Sequence, residues 1–564
     1  FAPSGASGPA YGGILLFGLL AAAATAVGAQ PDPSDGLAEV GRRIYEQGVL
    51  PDGSALRAVR PEGFVLDGQQ AACATCHRES GMGSVEGSID RTVLVPPVAG
   101  PLLFVPARFH RTFLDRSHHW VPNDAWARAL TRGAYDDVRL GRCLREGLDP
   151  DGRPLVAPMP RYDLDDRALS ALAAYLRRLG AEPAPGVETS TLHLATVVTP
   201  DAVPGYADAV LGVLRRWSTA SKASGGDWRL HVWELSGPPA EWPAQLESRY
   251  QAQPVFALLS GAGGSEWVPV HRFCEQNRIP CILPVVDVAP EDTPGFYSVY
   301  FSPGVPLEAR LLASYLGKTA RSASEAAPPI IQVFSDQAGR RAAEALAAVL
   351  GPEMAKSSPR RFRPTAPTAA LDKVDEGTVL VLWLRATDIE QLAAALPMGP
   401  ATGSIYLSAL LAPPESVSLP PAWKVRVTYL SLFDDLGLQG EIAKLRLKNW
   451  LDRNGLPGGA DLRVQADAYA ACYLFSQALG DIRGQELRRP KTPLSREHVL
   501  ETMENGVNKY ADGTDLIDPD SHVVYYGRMS LGPRQRTAVR GGILLRYASA
   551  DSQRLVAASD RIVP

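Results

Sequence analysis

Apolar runs of strand length alternate with amphipathic helical segments over most of the chain after residue 190. Strands that alternate with helices predict parallel sheets with helices on both faces. We therefore expect an α/β unit over residues 191–564. The predicted strands form two groups of four, Leu192–Val198, Trp228–Leu235, Val255–Leu259 and Cys281–Val286, then Ile330–Phe334, Thr378–Leu384, Ile405–Leu407 and Val425–Tyr429.

Two helical patterns lie before residue 180, the first over 35–47 and the second opening at Asp163. Each places apolar residues on one face at the helical period, so the two helices can pack against each other. The segment 181–190 is rich in Pro and Gly and predicts a short linker. The apolar faces comprise Leu37, Val40, Ile44 and Tyr45 in the first helix, and Leu169, Leu172, Tyr175 and Leu176 in the second.

Composition narrows the function classes. A chain of 564 residues exceeds the usual size of one domain, and its formal net charge of -4 does not point to nucleic acid or an anionic membrane as the main partner. A Walker loop, an H-E-x-x-H pair and a G-x-S-x-G elbow are all absent from the sequence. These absences leave no signature of hydrolytic or transfer catalysis in the sequence.

Residues 1–29 predict export. Tyr11 to Ala29 is uncharged, rich in Leu and Ala, and ends in small residues suited to signal peptidase. The same run approaches the length of a membrane-spanning helix, so an uncleaved anchor over residues 11–29 is the alternative. Both interpretations place the rest of the chain in the bacterial periplasm.

Cys73-Ala74-Thr75-Cys76-His77 is a C-x-x-C-H motif. Two thiols three positions apart can add to the two vinyl groups of one haem, and the adjacent histidine can reach the iron. A redox-active C-x-x-C or half of a zinc site are the alternatives, but the sequence has no second cysteine pair of this spacing. The motif predicts one covalent haem c.

The flanking sequence resembles a class I c-type cytochrome, a small all-α fold, over residues 30–180. The segment 144–162 is similar to the sixth-ligand loop of the bacterial members, with Met159 between two prolines. The resemblance implies that His77 and Met159 bind the iron and that the Pro101 carbonyl receives the His77 N–H. Such a haem carries electrons. Met82 is too close to His77 to reach the opposite haem face, whereas His110, His118 and His119 remain alternative ligands.

The later part resembles the type I periplasmic binding proteins, a two-lobed family that includes the branched-chain amino acid receptors. The resemblance spans about Thr191 to Tyr547 and rests on segments such as 256–261, 278–282 and 301–303. It implies a ligand cleft at the carboxyl ends of the strands. Helix capping is the alternative role for each residue that could line this cleft, namely Thr199, Ser260, Ser265 and Ser302.

Together these patterns predict a periplasmic electron-transfer protein, an electron carrier or electron-transfer subunit rather than a catalyst. Its two-lobed module is expected to dock a redox partner protein or to bind a small molecule. The alternatives are a ligand receptor with a redox-sensing haem and the electron-accepting subunit of an oxidoreductase complex. Because every predicted haem element precedes Gly180, we expect the two units to fold separately. Cys274 and Cys281 form either a disulfide or two buried thiols, while Cys143 and Cys472 are expected to be small buried residues.

Overall fold

The protein is described here from a computed structural model. No helix among the described residues is long and apolar enough to cross a membrane. The predicted export segment 1–29 and the histidines at 110, 118 and 119 lie outside the described residues. The structure describes residues 33–88, 91–107, 131–155, 157–189, 191–223, 227–291, 295–323, 328–354, 357–372, 374–433, 436, 438–458, 462–486, 492–511, 526 and 529–564.

The N-terminal unit combines helices with two small antiparallel sheets. The predicted all-α fold is wrong in this respect, because the segment 49–70 folds as a hairpin whose first strand also pairs with residues 161–163. The helices are α1 (Pro33–Gln47), α2 (Ala74–His77), α3 (Gly100–Leu103), α4 (Asp137–Glu146) and α5 (Asp166–Arg178). The strands are β1 (Arg57–Val59), β2 (Val65–Asp67), β3 (Ser84–Ser88), β4 (Arg91–Val95) and β5 (Arg161–Asp163), ordered β2-β1-β5 and β3-β4.

Helices α1 and α5 cross at Gly41. A Cβ at this position would lie 2.0 Å from the Ala171 carbonyl oxygen, so only glycine permits the backbones to approach so closely. Asp165 caps α5 by accepting a hydrogen bond from the Ala168 N–H, which satisfies one free donor at the helix start. Both predicted helices and their crossing are confirmed.

The first lobe contains five parallel strands in the order β10-β9-β8-β6-β7. The chain enters β6 and then alternates between strands and helices, as the hydrophobic pattern predicts. Its strands are β6 (Thr191–Val198), β7 (Asp227–Glu234), β8 (Ala257–Leu259), β9 (Cys281–Ile282) and β10 (Ser298–Val299), and its helices are α6 (Tyr206–Ala223), α7 (Trp242–Ala252) and α8 (Val268–Gln276).

The second lobe is built on a sheet of seven strands in the order β12-β11-β13-β14-β15-β16-β17. Strand β16 pairs antiparallel with both of its neighbours, β15 and β17. All eight strands predicted from the sequence are present, although β9 is shorter than expected. The strands are β11 (Ile330–Phe334), β12 (Ser357–Arg361), β13 (Val379–Trp383), β14 (Ser404–Ser408), β15 (Val427–Ser431), β16 (Ile543–Tyr547) and β17 (Leu555–Ala557). The helices are α9 (Val305–Ala323), α10 (Gln337–Met354), α11 (Ala386–Ala395) and α12 (Pro421–Lys424).

Three later helices return to the first lobe after β15. They are α13 (Leu438–Arg453), α14 (Leu462–Glu486) and α15 (Arg496–Ala511). The Phe475 ring on α14 lies 5.3 Å from the Trp228 ring of β7, between ring centroids, and Trp450 on α13 lies 6.0 Å from Trp217 of α6. The chain then crosses back to the second lobe, so the two lobes share several crossing segments.

Hydrogen bonds hold the segment 181–189, which joins the N-terminal unit to β6, against the two-lobed unit. The Ala184 N–H donates to the Leu494 carbonyl at 3.2 Å, and the Arg496 guanidinium donates to the Pro185 carbonyl at 3.3 Å. At Gly186, with φ +87°, a Cβ would lie 2.2 Å from the Phe256 backbone nitrogen. The glycine at this position permits a tight, hydrogen-bonded turn.

Candidate functional site

The C-x-x-C-H motif lies on the single-turn helix α2. Backbone hydrogen bonds from the Cys76 and His77 N–H groups to the Cys73 carbonyl, at 3.2 and 2.9 Å, close the turn. Positions three and four apart lie on one face of a helical turn. As a result, Cys73, Cys76 and His77 all line the same cavity.

This cavity has a volume of about 400 Å³, within the range of cofactor sites. Its wall is mostly apolar, with side chains from α1, α5 and the loop that precedes β5. The cavity therefore excludes water from most of its surface. Among its lining residues are Tyr45, Val95, Leu103, Leu140, Leu144, Leu155, Pro158, Met159, Pro160, Tyr162, Leu172 and Leu176.

His77 has one ring nitrogen fixed by the backbone. Its Nδ1 lies 2.9 Å from the Pro96 carbonyl oxygen, which can only accept, so Nδ1 carries the proton. Burial lowers the pKa of His77 below its usual value, although the Pro96 carbonyl opposes this shift. The imidazole is therefore neutral near pH 7, with the lone pair on Nε2 free to bind a metal.

The predicted partner of His77 was Pro101, and this prediction is wrong. Pro101 lies at the start of α3, and the Gly100 N–H there donates to the Leu179 carbonyl at 2.8 Å. A Cβ on Gly100 would lie 2.5 Å from the Arg177 carbonyl oxygen. The Gly-Pro pair thus serves the packing of α3 on α5, and Pro96, in the segment between β4 and α3, takes the role assigned to Pro101.

The two motif cysteines do not form a disulfide. Burial raises the pKa of the Cys73 thiol to about 12, and a hydrogen bond with Tyr162 offsets only part of this effect. A redox-active C-x-x-C needs the opposite, a thiol pKa lowered toward neutrality. The environment of Cys73 thus argues against a thioredoxin-like role.

Met159 is half-buried and lines the cavity, as the sequence predicted for the sixth-ligand loop. A closed turn beside it fixes the loop. The Asp149 carboxylate accepts from the backbone N–H groups of Asp151 and Arg153, at 2.9 and 2.8 Å, and from the Arg153 side chain at 2.7 Å. Met82 is not among the residues that line this cavity.

Two arginines bring positive charge to the cavity without a carboxylate partner in the part of the chain that the structure describes. Arg132 donates to the carbonyls of Leu102, Leu103 and Gly133, at 3.0, 3.1 and 2.9 Å. The Nε of Arg60 is buried without a hydrogen-bond partner. A haem brings two carboxylates of its own, so these cations fit the cofactor that the motif predicts. Both motif thiols, the unprotonated Nε2 of His77 and the thioether of Met159 thus meet at one mostly apolar cavity. These residues fit a covalent haem.

A second cavity, of about 60 Å³, lies between the two lobes. Ser302 is the one predicted cleft residue that lines it. The Asp467 carboxylate at its edge accepts from the Tyr526 hydroxyl at 3.1 Å, and burial raises the pKa of Asp467 to about 7. Phe301 and Phe433 stack on either side of the Tyr526 ring, which narrows the cavity further.

The other predicted cleft residues do not reach this cavity. The Thr199 hydroxyl donates to Asp201 at 2.6 Å, and Asp201 also accepts from the Glu266 N–H at 3.0 Å. Asp201 therefore occupies one backbone donor that an anionic ligand could use in the loop before α8. The Ser260 hydroxyl is buried without a hydrogen-bond partner, and Ser265 lies in the loop beside Asp201.

Three charged residues that sequence reasoning missed join the lobes at the cleft. The Arg385 guanidinium, at the end of β13, donates to Asp287 of the first lobe at 2.6 and 3.2 Å and to Asp336 of the second at 2.7 Å. Asp287 is 8% exposed and Arg385 is 22% exposed. Asp336 and Arg385 each lie two residues after a buried strand, and Asp287 lies five residues after β9. Their position after the carboxyl ends of strands was the available sequence signal. We call this cluster the interlobe latch.

The remaining cysteines are buried, as expected. The Cys143 thiol lies 3.5 Å from the Tyr135 hydroxyl, and Cys472 lies in the core on α14. Cys274 and Cys281 are two thiols in hydrogen-bond contact, and burial raises the pKa of Cys274 well above its usual value. Within the described ranges, no group of three or more His, Cys, Asp or Glu side chains could hold a metal ion without a cofactor.

Comparisons with known proteins follow the two-lobed part of this geometry. No family model matches the chain, and no curated protein matches it. Among solved structures, a fatty acid ABC transporter substrate-binding protein from Thermomonospora curvata is 13% identical, with a TM-score of 0.49 over 68% of this chain and 95% of that one. A branched chain amino acid ABC transporter from Thermus thermophilus with bound valine is 12% identical, with a TM-score of 0.48 over 67% and 98%. A possible leucine/isoleucine/valine-binding protein from Rhodopirellula baltica is 13% identical, with a TM-score of 0.47 over 66% and 97%.

Proposed function

We propose that the chain is an exported, periplasmic electron-transfer protein with one haem c. In this proposal Cys73 and Cys76 would hold the haem covalently, and His77 and Met159 would bind its iron. The observation that supports it is the single 400 Å³ cavity, which these four side chains line together. Covalent haem of this kind is attached outside the cytoplasm, which is the basis for the proposed location.

The chain's own residues define the properties of this site. The Pro96 carbonyl fixes the orientation of the His77 ring and keeps its Nε2 unprotonated. Arg60 and Arg132 would offset the negative charge of the two haem carboxylates, and the mostly apolar wall would limit the access of water to the haem. When bound, the haem supplies a one-electron iron couple. A haem iron bound by both His77 and Met159 would have no position open to substrate, which favours electron transfer over catalysis.

The two-lobed unit has, in this proposal, a docking or ligand-sensing role. In the described conformation the latch closes the cleft, and the cavity of about 60 Å³ lies well below the ~300 Å³ of usual ligand sites. This favours a closed unit that positions the haem unit for a redox partner protein. A receptor with a redox-sensing haem is the second candidate, and it requires the lobes to open. The contacts of Arg78 and Ser80 with α15 favour it, because they join the segment after the C-x-x-C-H motif to the two-lobed unit.

Haem stoichiometry tests the proposal. Protein produced in a bacterial host that matures c-type haem should give one haem per chain in a pyridine haemochrome assay, and acid acetone should not extract it. Replacement of both Cys73 and Cys76 by Ala should abolish covalent attachment. Cys143→Ala is the matched control, because Cys143 lines the same cavity outside the motif and its loss should leave attachment intact. Two haems per chain, or extractable haem, would contradict the proposal.

A further inference from the structure

We propose that movement of the two lobes is transmitted to the haem-attachment segment through a buried ion-pair chain, Arg536–Glu504–Arg78. Glu504, on α15, contacts the guanidinium groups of both arginines. Its side chain is 2% exposed, and those of Arg78 and Arg536 are 15% and 11% exposed. The inference rests on the proposed function for its haem measurement, whereas its hydrogen-exchange measurement does not require a bound haem.

One end of this ion-pair chain, Arg78, lies beside the C-x-x-C-H motif. Arg78 directly follows His77, and its backbone carbonyl accepts a hydrogen bond from the Tyr45 hydroxyl at 2.8 Å. Tyr45 lines the haem cavity. The next turn is held by the same helix of the other unit, because the Ser80 N–H donates to Glu501 at 3.0 Å. A displacement of α15 therefore acts directly on residues that position His77 and on one wall of the cavity.

The other end of the ion-pair chain, Arg536, lies on a segment that crosses between the lobes. The Tyr300 N–H donates to the Arg536 carbonyl at 2.8 Å, and the Ala538 and Val539 N–H groups donate to the carbonyls of Tyr300 and Phe301 at 3.0 and 2.7 Å. These two paired crossings lead from the first lobe into α9 and β16 of the second. Segments at such crossings absorb the change in backbone angles when two lobes open or close. Arg536 is therefore placed to move with the hinge.

The latch defines the two states that the hinge connects. In the described conformation Asp287 and Arg385 meet across the two lobes, and a second pair, Glu291 and Arg310, spans the same junction at 2.9 Å. Opening breaks the Asp287–Arg385 contact and turns the crossing segment that carries Arg536. Glu504 then loses Arg536 or moves with it, and either outcome alters its contact with Arg78. Charged partners in a buried site respond strongly to such a loss, since the remaining charge is left uncompensated.

Coupling of this kind is reciprocal. If lobe opening changes the relative stability of oxidised and reduced haem, the redox state of the haem must change the lobe equilibrium by the same factor. The proposal assigns the two units to one mechanism. It adds a coupling that the expectation of two separately folding units does not include.

The test opens the lobes at a site remote from the haem. Arg385→Met removes the latch, and Arg385→Glu places a like charge against both aspartates. Opening is measured as an increase in the radius of gyration by small-angle X-ray scattering. Arg340→Met is the matched control, because Arg340 forms an exposed ion pair with Glu344 on α10 of the same lobe and joins no other element.

In the opened variants, amide hydrogen exchange across residues 78–84 should accelerate. The ratio of oxidised to reduced haem at a fixed applied potential should change by at least about fivefold, the lower end of usual allosteric coupling. The control should change neither. Glu504→Gln should uncouple the N-terminal unit from the lobes. In this background Arg385→Met should still open the lobes but should no longer alter hydrogen exchange or the ratio of oxidised to reduced haem.

Each outcome decides between the possibilities. Lobes that stay closed even in Arg385→Glu would overturn the latch. Opening without any change at residues 78–84 would overturn the coupling, and an effect that persists in the Glu504→Gln background would assign it to another path. A chain that carries no covalent haem would contradict the proposed function instead, and the exchange measurement would still decide the coupling.

Discussion

Ser80 and Glu501 are 421 residues apart in sequence, yet both the backbone N–H and the hydroxyl of Ser80 donate to this one carboxylate. The contact joins the turn after the C-x-x-C-H motif to a helix that packs on the first lobe. A second contact nearby, from Arg278 to Glu46 at 2.8 Å, joins the first lobe to α1. The N-terminal and two-lobed units thus share an interface of paired, partly buried charges.

The first prediction concerns the pH dependence of this interface. Burial raises the pKa of Glu501 from its ordinary value of 4.5 to about 8, while the Ser80 hydrogen bonds and the nearby Arg78 charge oppose the shift. The unfolded chain loses this proton near pH 4.5, whereas the folded chain keeps it to about pH 8. The stability contributed by Glu501 is therefore present below pH 4.5 and declines as pH rises to about 8, by up to ~1.4 kcal/mol per pH unit.

Thermal unfolding at a series of pH values across this window measures the effect. Other buried carboxyl groups also titrate here, so the informative quantity is the difference between the wild type and Glu501→Gln, whose side chain does not ionise. The variant should lose stability less steeply as pH rises. Parallel curves for the two proteins would show that Glu501 does not retain its proton on folding.

The second prediction concerns the sixth ligand. Met159→Ala removes the thioether, which favours ferrous iron, so the midpoint potential should fall. The weak far-red absorbance expected of a ferric haem with a methionine ligand should disappear as well. Met82→Ala is the control, because Met82 lies outside the cavity lining and should leave both properties unchanged. Absence of the band already in the wild type would direct attention to His110, His118 and His119, whereas its persistence in Met159→Ala would mean that another methionine binds the iron.

The third prediction concerns the helix crossing. In Gly41→Ala the new Cβ would lie 2.0 Å from the Ala171 carbonyl oxygen and 2.7 Å from the Tyr175 Cβ, so α1 and α5 must move apart. We expect a loss of about 1–3 kcal/mol or more in the free energy of unfolding, the usual effect of overpacking. Denaturant unfolding of the haem-loaded protein measures it.

Gly36→Ala provides the matched control on the same helix. Nothing lies within 4 Å of the added Cβ at this position, so the substitution should stabilise the protein by up to about 1 kcal/mol through helix propensity. Equal effects of the two substitutions would mean that backbone flexibility, not the crossing, explains the role of Gly41.

Much of the fold was predictable because its signals are local. The strand Val379–Trp383 is apolar at every position, as expected of a strand buried on both faces, and the helix Asp166–Arg178 follows a capping Asp165. The short strands β10 and β12 were missed. β10 has only two residues, and β12, over Ser357–Arg361, carries polar residues and a proline at the sheet edge, so neither has a distinctive pattern.

The sequence by itself predicted the cofactor chemistry, because the spacing of Cys73, Cys76 and His77 places all three side chains within one helical turn. The tertiary structure alone decided which distant groups complete each site. Pro96 replaces Pro101 beside His77 because the Gly-Pro segment packs on α5. Latch residues 287, 336 and 385, and the pairing of Ser80 with Glu501, come from separate elements. A hydrogen bond between such elements depends on the path of the whole chain, and no local pattern of residues encodes it.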